Sequence, residues 1–281
     1  MIGVVTIDEH TEAGRAALEV GRWEEARGAF EAALTEGETP EALEGMGAAF
    51  WWLCDARASV RYRERAYVML RQSGDALRAC TTAVDLSITY LVNLGNEAAA
   101  RGWLARAERV MSGIDPNPMQ GWIWEMRGYL TADPNRSREL LSRALEFAHD
   151  SGDLDLELIA LSDLGLALVV AGRVEEGMAI LDEAMAGTLG GEYGRLDTVV
   201  FTGCNMLAAC KLAGDPSAPL SGAGSRTSSS GTMAARFCSL AAGCTTEASL
   251  SRRGSGSGPR LSFGRLYTCP RTPVLSHRRR R

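Results

Sequence analysis

Few residues in this 281-residue chain have the types and spacing that catalysis needs. Its three histidines are His10, His149 and His277, and none has a cysteine, serine or acidic residue at a spacing that suggests a catalytic pair. General acid–base and nucleophilic catalysis both require such a partner within hydrogen-bond reach. Paired acids such as Glu24 and Glu25 begin a predicted helix, where they complement the helix dipole. We therefore expect a protein that binds and is not an enzyme.

The seven cysteines include no CxxC pair. Cys204 and Cys210 lie six residues apart on one predicted helix, and we expect both to be buried structural thiols. The spacing of Cys238, Cys244 and Cys269 matches no common zinc pattern, and the chain has no GxxxxGK(S/T) phosphate-binding motif. The sequence therefore predicts no metal and no cofactor. An odd number of cysteines without a CxxC pair favours a reduced, cytoplasmic setting.

The residue types best suited to binding are aromatic side chains with a few polar ones among them. Their spacing places them on the first helices of successive predicted helix pairs, where they would line a concave groove. Such a surface suits a protein, a peptide or a small effector. The candidate groove residues are Trp51, Trp52, Asp85, Thr89, Asn93, Glu125 and Tyr129, with Val169 and Val170 beside them. For the tryptophans and valines, a place in the interhelical core is the alternative.

Pairs of helices must position these residues. In the first pair, small residues occupy one face of a helix that ends at Gly21, and apolar residues then recur at spacings of three and four. These residues are Gly14 and Ala17, then Trp23, Ala26, Phe30 and Ala33. Thr39 followed by Pro40 indicates that a further helix begins there. Later turns are predicted at Cys54, Gly95, Asp133–Pro134, Gly172 and Gly214, which gives about six pairs, the last incomplete.

Gly14, Gly21, Ala26, Phe30 and Ala33 match the pattern of the tetratricopeptide repeat, and the region resembles such repeats. The resemblance implies an all-α solenoid in which stacked helix pairs share one core. The sequence departs from the pattern at several positions: Cys54 replaces a turn glycine, Ser59 and Gly177 replace a small alanine of the second helix, and the fourth unit is short.

A narrower resemblance rests on residues 45–75, GMGAAFWWLCDARASVRYRERAYVMLRQSGD. This segment is similar to the tetratricopeptide region of actinobacterial LuxR-type transcriptional regulators, in which the repeats precede a helix-turn-helix DNA-binding domain. The resemblance implies a region that binds a protein or an effector and contacts DNA only through a domain that is not visible in this chain. A stand-alone adaptor for protein–protein interaction is the alternative.

The charge of the chain changes sign near residue 215. Residues 1–215 carry a net charge of −15, whereas residues 216–281 carry +10 with 13 serines and eight glycines. We expect a lead over 1–10, helical repeats over 11–215 and a disordered tail over 216–281, because the tail cannot bury enough apolar area to offset its ordering entropy. Two explanations of the tail stay open: a basic segment that contacts nucleic acid, or a reading-frame shift that has removed the DNA-binding domain.

Membrane association is not expected. The most apolar run, Leu158 to Gly172, has about 15 residues and contains Asp163, whereas a membrane-spanning helix needs ~20 apolar residues. The N-terminus lacks the basic segment and the long apolar core of a signal peptide. The sequence therefore predicts a cytoplasmic protein with no membrane partner.

Overall fold

The computed structural model describes residues 6–214, and within them it contains eleven α-helices, one π-helical turn and no β-strand. This confirms the predicted all-α fold. The tail over 216–281 and half of the N-terminal lead lie outside the described residues. The helices are α1 (Ile7–Glu19), α2 (Trp23–Glu36), α3 (Pro40–Trp52), α4 (Ala56–Ser73), α5 (Ala76–Ile88, continued by the π-helical turn Thr89–Asn93), α6 (Glu97–Met111), α7 (Gln120–Leu130), α8 (Pro134–Ser151), α9 (Leu154–Val170), α10 (Val174–Gly190) and α11 (Leu196–Gly214).

The helices pack as five consecutive pairs, from α1 with α2 to α9 with α10, and each second helix also contacts the first helix of the next pair. Turns of about three residues make the two helices of a pair antiparallel neighbours. Helix α11 packs against both α9 and α10, the position that the first helix of a sixth pair would take. Between neighbouring pairs, the first helices α7, α9 and α11 contact one another in sequence.

Turn chemistry explains where the first helices end. Gly21, Gly95 and Gly172 lie at the predicted turns with φ between 62° and 85°, a region that glycine enters without steric cost. Cys54 takes the equivalent turn at φ 62° and is the one non-glycine with positive φ among residues 6–214. Gly214 differs from the prediction, because it is the last residue of α11.

Side chains cap most of the helix starts. The predicted start at Pro40 is confirmed, since the Thr39 side chain accepts a hydrogen bond from the backbone of Ala42 and Pro40 is the first helical residue. Capping side chains satisfy backbone N–H groups that have no partner within the helix. The capping residues are Thr6, Thr39, Asp55, Asp75, Asn96, Asp133 and Asp153.

The two helices of a pair approach most closely at small residues. Between α9 and α10, a Cβ added at Gly177 would lie 2.5 Å from the carbonyl oxygen of Gly165. Between α3 and α4, the buried Ser59 hydroxyl donates a 2.7 Å hydrogen bond to the carbonyl of Gly47. Glycine at one site and serine at the other therefore both allow the two helices of a pair to approach closely.

Phe30 shows how one large residue fills the space that small residues leave. Its ring is fully buried, and a Cβ added at Gly14 or at Gly45 would lie within 2.7 Å of it. The ring thus occupies the space between α1 and α3 from its place on α2. Burying a side chain of this size contributes about 1.5–3 kcal/mol.

One helix among residues 6–214, α11, has the length and apolar composition that could cross a membrane. It packs against α9 and α10 and buries Thr198, Thr202 and Asn205. The run that the sequence ranks as most apolar forms α9, a helix with most of its residues buried between α8, α10 and α11.

We expect Gly177→Ala to destabilise the protein by about 1–3 kcal/mol, because the added methyl group meets backbone atoms of α9 that cannot move aside cheaply. The matched control is Gly102→Ala on α6, where a Cβ would have no neighbour within 4 Å. This control should gain about 0.5–1 kcal/mol through helix propensity. Urea denaturation of both variants measures the difference, and equal effects would contradict the proposed close contact.

Candidate functional site

The first helices of the pairs line two cavities. The first, called here the inner cavity, has a volume of about 110 Å³ and is lined by residues of α5, α7, α9 and α11 together with the loop before α11. The second, called here the N-terminal cavity, has a volume of about 250 Å³ and is lined by residues of α1, α3, α4 and α5. The surface that the sequence predicts as one groove is therefore divided in two.

Trp51 and Asn93 lie in contact between α3 and the π-helical turn. The Trp51 indole Nε1 donates a 3.0 Å hydrogen bond to the Asn93 side-chain oxygen. The Trp51 ring also lies 6.2 Å, centroid to centroid, from Phe201 on α11. Trp51 is buried, so it joins α3, α5 and α11 and presents little surface to a ligand.

Trp52 lies on the other side of α3. Its ring stacks on Trp23 at a centroid distance of 4.4 Å with nearly parallel planes. Trp23 begins α2, a second helix, so Trp52 lines neither cavity. Trp52 is only half-buried. Val169 follows the alternative of an interhelical core position, because it is fully buried with Leu181 and Ala209.

Asp85 and Thr89 meet an arginine from the neighbouring pair. Arg63 on α4 donates a 2.8 Å hydrogen bond to the Thr89 hydroxyl and lies 3.6 Å from the Asp85 carboxylate. The same carboxylate lies 3.6 Å from the guanidinium of Arg195, in the loop before α11. Asp85 thus holds together α4, α5 and the start of α11.

The π-helical turn places Thr89 and Asn93 on this surface. Leu94 donates its backbone N–H to the carbonyl of Thr89 at 3.2 Å, five residues back, and the wider turn accommodates one extra residue. Such turns are frequent at functional sites. No pattern in the sequence indicates this turn.

Glu125 on α7 and Asp163 on α9 form a buried carboxyl pair at the inner cavity, with only 4% and 7% of their surfaces exposed. The two side chains lie close enough for each to affect the ionisation of the other, and a hydrogen bond between two carboxyls requires a proton on one of them. Asn205 on α11 donates a 2.6 Å hydrogen bond to the other partner, Asp163, and a 3.0 Å hydrogen bond to the Ser162 hydroxyl.

Burial, together with the charge of Asp163, holds the pKa of Glu125 well above its ordinary value. Burial also raises the pKa of Asp163, although the hydrogen bonds from Glu125 and Asn205 act in the opposite direction. Two carboxyls this close cannot both ionise without strong repulsion. The pKa of the second proton to leave the pair is therefore raised.

The sequence pattern indicates Glu125 but not its two partners. Asp163 stands out only as an interruption of an apolar run, and no pattern indicates Asn205. The available signal was the presence of a single acid in that run, because an acid inside an apolar helix is rarely buried without a partner.

Arg195 closes one side of the inner cavity. Its guanidinium donates two hydrogen bonds, of 3.0 and 2.7 Å, to the Asp197 carboxylate and lies 5.6 Å from the centre of the Trp122 ring. The loop that carries it is held by Asp155, which accepts hydrogen bonds from the backbone of Gly194 and Arg195. Arg195 is therefore fixed by several partners, and its positive charge is matched by nearby carboxylates.

Tyr129 lines the inner cavity with Trp122 and Phe201, and apolar side chains complete the wall. Those apolar residues are Ile88, Val92, Met126, Ile159, Leu166 and Leu207. The inner cavity thus combines aromatic walls with one buried carboxyl pair.

The N-terminal cavity has a different chemistry. Arg15, Glu41, Glu44 and Arg63 line it, so charges of both signs face the space. Glu41 and Glu44 are bound by the guanidinium of Arg78 on α5. This cavity suits a charged polypeptide segment better than an apolar small molecule.

The remaining candidates lie at the surface. Cys210 is exposed, and Cys204 is half-buried because it lines the inner cavity, so the expectation of two buried thiols was wrong. His10 lies 3.5 Å from Glu36, and the exposed His149 lies 3.1 Å from Glu157. These acidic partners come from neighbouring helices, which is why sequence spacing did not indicate them.

The chain matches no protein-family model, and no curated protein matches its sequence. Over residues 6–214, no group of three or more histidine, cysteine or acidic side chains is placed to hold a metal ion.

We expect Glu125→Gln to reduce the loss of stability as pH rises. A carboxyl whose pKa is raised by folding binds more protons in the folded state, so its contribution to stability is lost as pH rises above the ordinary value of 4.5 and through the folded pKa. Glutamine keeps the hydrogen bond to Asp163 and cannot ionise. Urea denaturation at pH 5 and pH 8 should give a smaller difference in unfolding free energy for the variant.

The control for this comparison is Glu175→Gln, an exposed carboxyl on α10. It should show the same pH dependence as the unmodified chain. If Glu125→Gln also leaves the pH dependence unchanged, folding does not raise the pKa of Glu125.

Proposed function

We propose that the helical region binds a small effector in the inner cavity and serves as the sensory part of a transcriptional regulator of the LuxR type. The observation that carries the proposal is the inner cavity itself, in which aromatic walls surround the buried pair of Glu125 and Asp163. An apolar cavity with a few convergent polar groups of perturbed pKa is typical of ligand sites.

The division of the inner surface favours a compact effector over an extended peptide. Asp85 lines the N-terminal cavity, whereas Arg195 and Phe201 line the inner cavity. The ion pair of Asp85 with Arg195 therefore lies between the two cavities. A peptide that ran along all first helices would have to break this ion pair.

Helix α11 supplies a route from the effector to the rest of a regulator. Its residues Phe201 and Asn205 line the inner cavity, and Arg195 precedes it. A ligand that displaced these side chains would change how α11 packs on α9 and α10, and that change would pass to whatever follows residue 214. The link to transcription rests on the resemblance of residues 45–75, and contact with DNA is proposed only through a domain not visible in this chain. We place the protein in the cytoplasm.

A stand-alone adaptor is the second candidate, and the N-terminal cavity favours it. That cavity is the larger of the two and carries Arg15, Glu41 and Glu44 on exposed or half-buried positions. Mixed charges of this kind suit a polypeptide partner whose charged side chains alternate in sign.

To test effector binding, we would measure the melting temperature of the full chain against a panel of small cations, neutral alcohols, acids and sugars. At least one compound should raise it, because a ligand that binds only the folded state stabilises it. Ala208→Phe fills the inner cavity from α11 and should abolish the rise. Gly203→Ala, on the same helix with open space around its Cβ, should retain it. Equal rises in both variants would place the ligand elsewhere.

The nucleotide sequence beyond codon 215 tests the link to transcription. A neighbouring reading frame should continue the sixth helix pair and encode a helix-turn-helix motif. Stop codons early in both other frames would favour the adaptor, and they would leave the effector site to be judged by the binding experiment alone.

A further inference from the structure

We infer that the ligand of the inner cavity is a small organic cation, a protonated amine with an apolar body, whose ammonium group binds between Glu125 and Asp163. The inference rests on the proposed function, since it names the ligand class of the same cavity. It is carried by the charges, walls and volume of the cavity.

The charges that line the inner cavity leave a negative balance. Glu125, Asp163 and Asp197 supply carboxyls, and Arg195 is the one cationic residue among the lining residues. Its guanidinium already binds Asp197 through two hydrogen bonds and pairs with Asp85 beyond the cavity. An anionic ligand would have to compete with these carboxylates for Arg195 and would face Asp163 as well. A cation meets instead a buried carboxyl pair that accepts a hydrogen bond from the Asn205 amide.

The walls favour a cation with an apolar body. Trp122, Tyr129 and Phe201 line the cavity, and aromatic faces attract cations within about 6 Å of the ring centre. The guanidinium of Arg195 already lies 5.6 Å from the Trp122 ring centre. The volume of about 110 Å³ is somewhat below the ~150 Å³ of a cavity that holds benzene. The cavity is also open on one side, so it takes the ammonium group with a short chain, and a ring on that chain would lie at the opening.

When the ammonium binds in the cavity, one proton should leave the carboxyl pair. The ammonium brings N–H donors and a positive charge to both carboxyls, which lowers their pKa, so a proton that the pair holds leaves to solvent. The other ionisable groups that face the cavity are Tyr129 on α7, Cys204 and Asp197 on α11, and Arg195, while α5 contributes only Ile88 and Val92. We therefore assign the release of about one proton per bound amine to Glu125 and Asp163.

The test compares three probes of one shape on the full chain: benzylamine, benzyl alcohol and benzoate. Isothermal titration at pH 7 should give an amine affinity at least tenfold above that of the alcohol, with benzoate weakest. Titration in two buffers of different ionisation enthalpy should show about one proton released per amine. By linkage, the amine affinity should rise with pH, by up to about tenfold per pH unit, over the range in which the carboxyl pair still holds a proton.

Two variants separate the roles of the carboxyls. Glu125→Gln removes the shared proton and should lower proton release to near zero. Glu125→Gln combined with Asp163→Asn removes both acids and should bring amine and alcohol affinities within about twofold of each other. Glu175→Gln, an exposed control on α10, should behave as the unmodified chain. The pH dependence of the unmodified chain tests the same point if a variant does not fold.

An alcohol that binds as tightly as the amine, or an amine affinity that does not change with pH, would overturn the inference of a cationic ligand and leave the effector role intact. A persistent amine preference in the double variant would also overturn it. The effector role fails separately, if no compound of the wider panel depends on the inner cavity.

Discussion

Close contact between the two helices of each pair is the constraint on which the rest of the structure depends. At Gly165 and Gly177 the backbones approach so closely that a single methyl group would meet carbonyl and amide atoms. At Ser59 and Ser137 a hydroxyl bonds the carbonyl of the facing helix, at 2.7 and 2.8 Å, which is possible only at the same short range. Close packing of this kind tolerates little change of volume, so each pair behaves as one fixed unit.

Because each helix pair is a fixed unit, its packing determines which side chains of the first helix face the shared surface. Because each second helix packs against the next pair, side chains such as Asp85 and Glu125, on first helices, come to one surface. Contacts across this surface, Trp51 with Phe201 and Asp85 with Arg195, then bring α11 close to α3 and α5. The inner cavity is the space left between these contacts, so its residues are positioned by packing far from the cavity itself.

The sequence predicted the elements better than it predicted the site, and the reason is the range of the interactions involved. Helix ends at Gly21 and Cys54 and the cap at Thr39 depend on neighbours within a few residues, so local patterns reveal them. The pairing of Glu125 with Asp163 joins residues 38 positions apart on different helices, and Asn205 comes from a third. No local pattern encodes such a meeting.

Trp51 and Trp52, neighbours on α3, show the same limit of prediction from local sequence. Both are aromatic neighbours in sequence, yet one hydrogen-bonds Asn93 on the inner side and the other stacks on Trp23. Successive residues on a helix point about 100° apart, so one of the two had to leave the groove. The angle at which α3 packs against its neighbours decides which of the two tryptophans faces away from the groove. Small residues such as Gly45 and Gly47 set that angle.

The buried carboxyl pair is the point at which stability and binding oppose each other. Burying Glu125 and Asp163 raises the free energy of the folded state unless a proton and the Asn205 amide compensate, and two apolar residues of similar size would pack there without that cost. The pair contributes nothing to packing that leucine could not. Its chemical distinction is that it can exchange a proton for another donor inside an apolar cavity. A purely structural role explains the aromatic walls of the cavity, but it does not explain why two acids are buried there. A ligand with its own N–H groups explains both the walls and the acids.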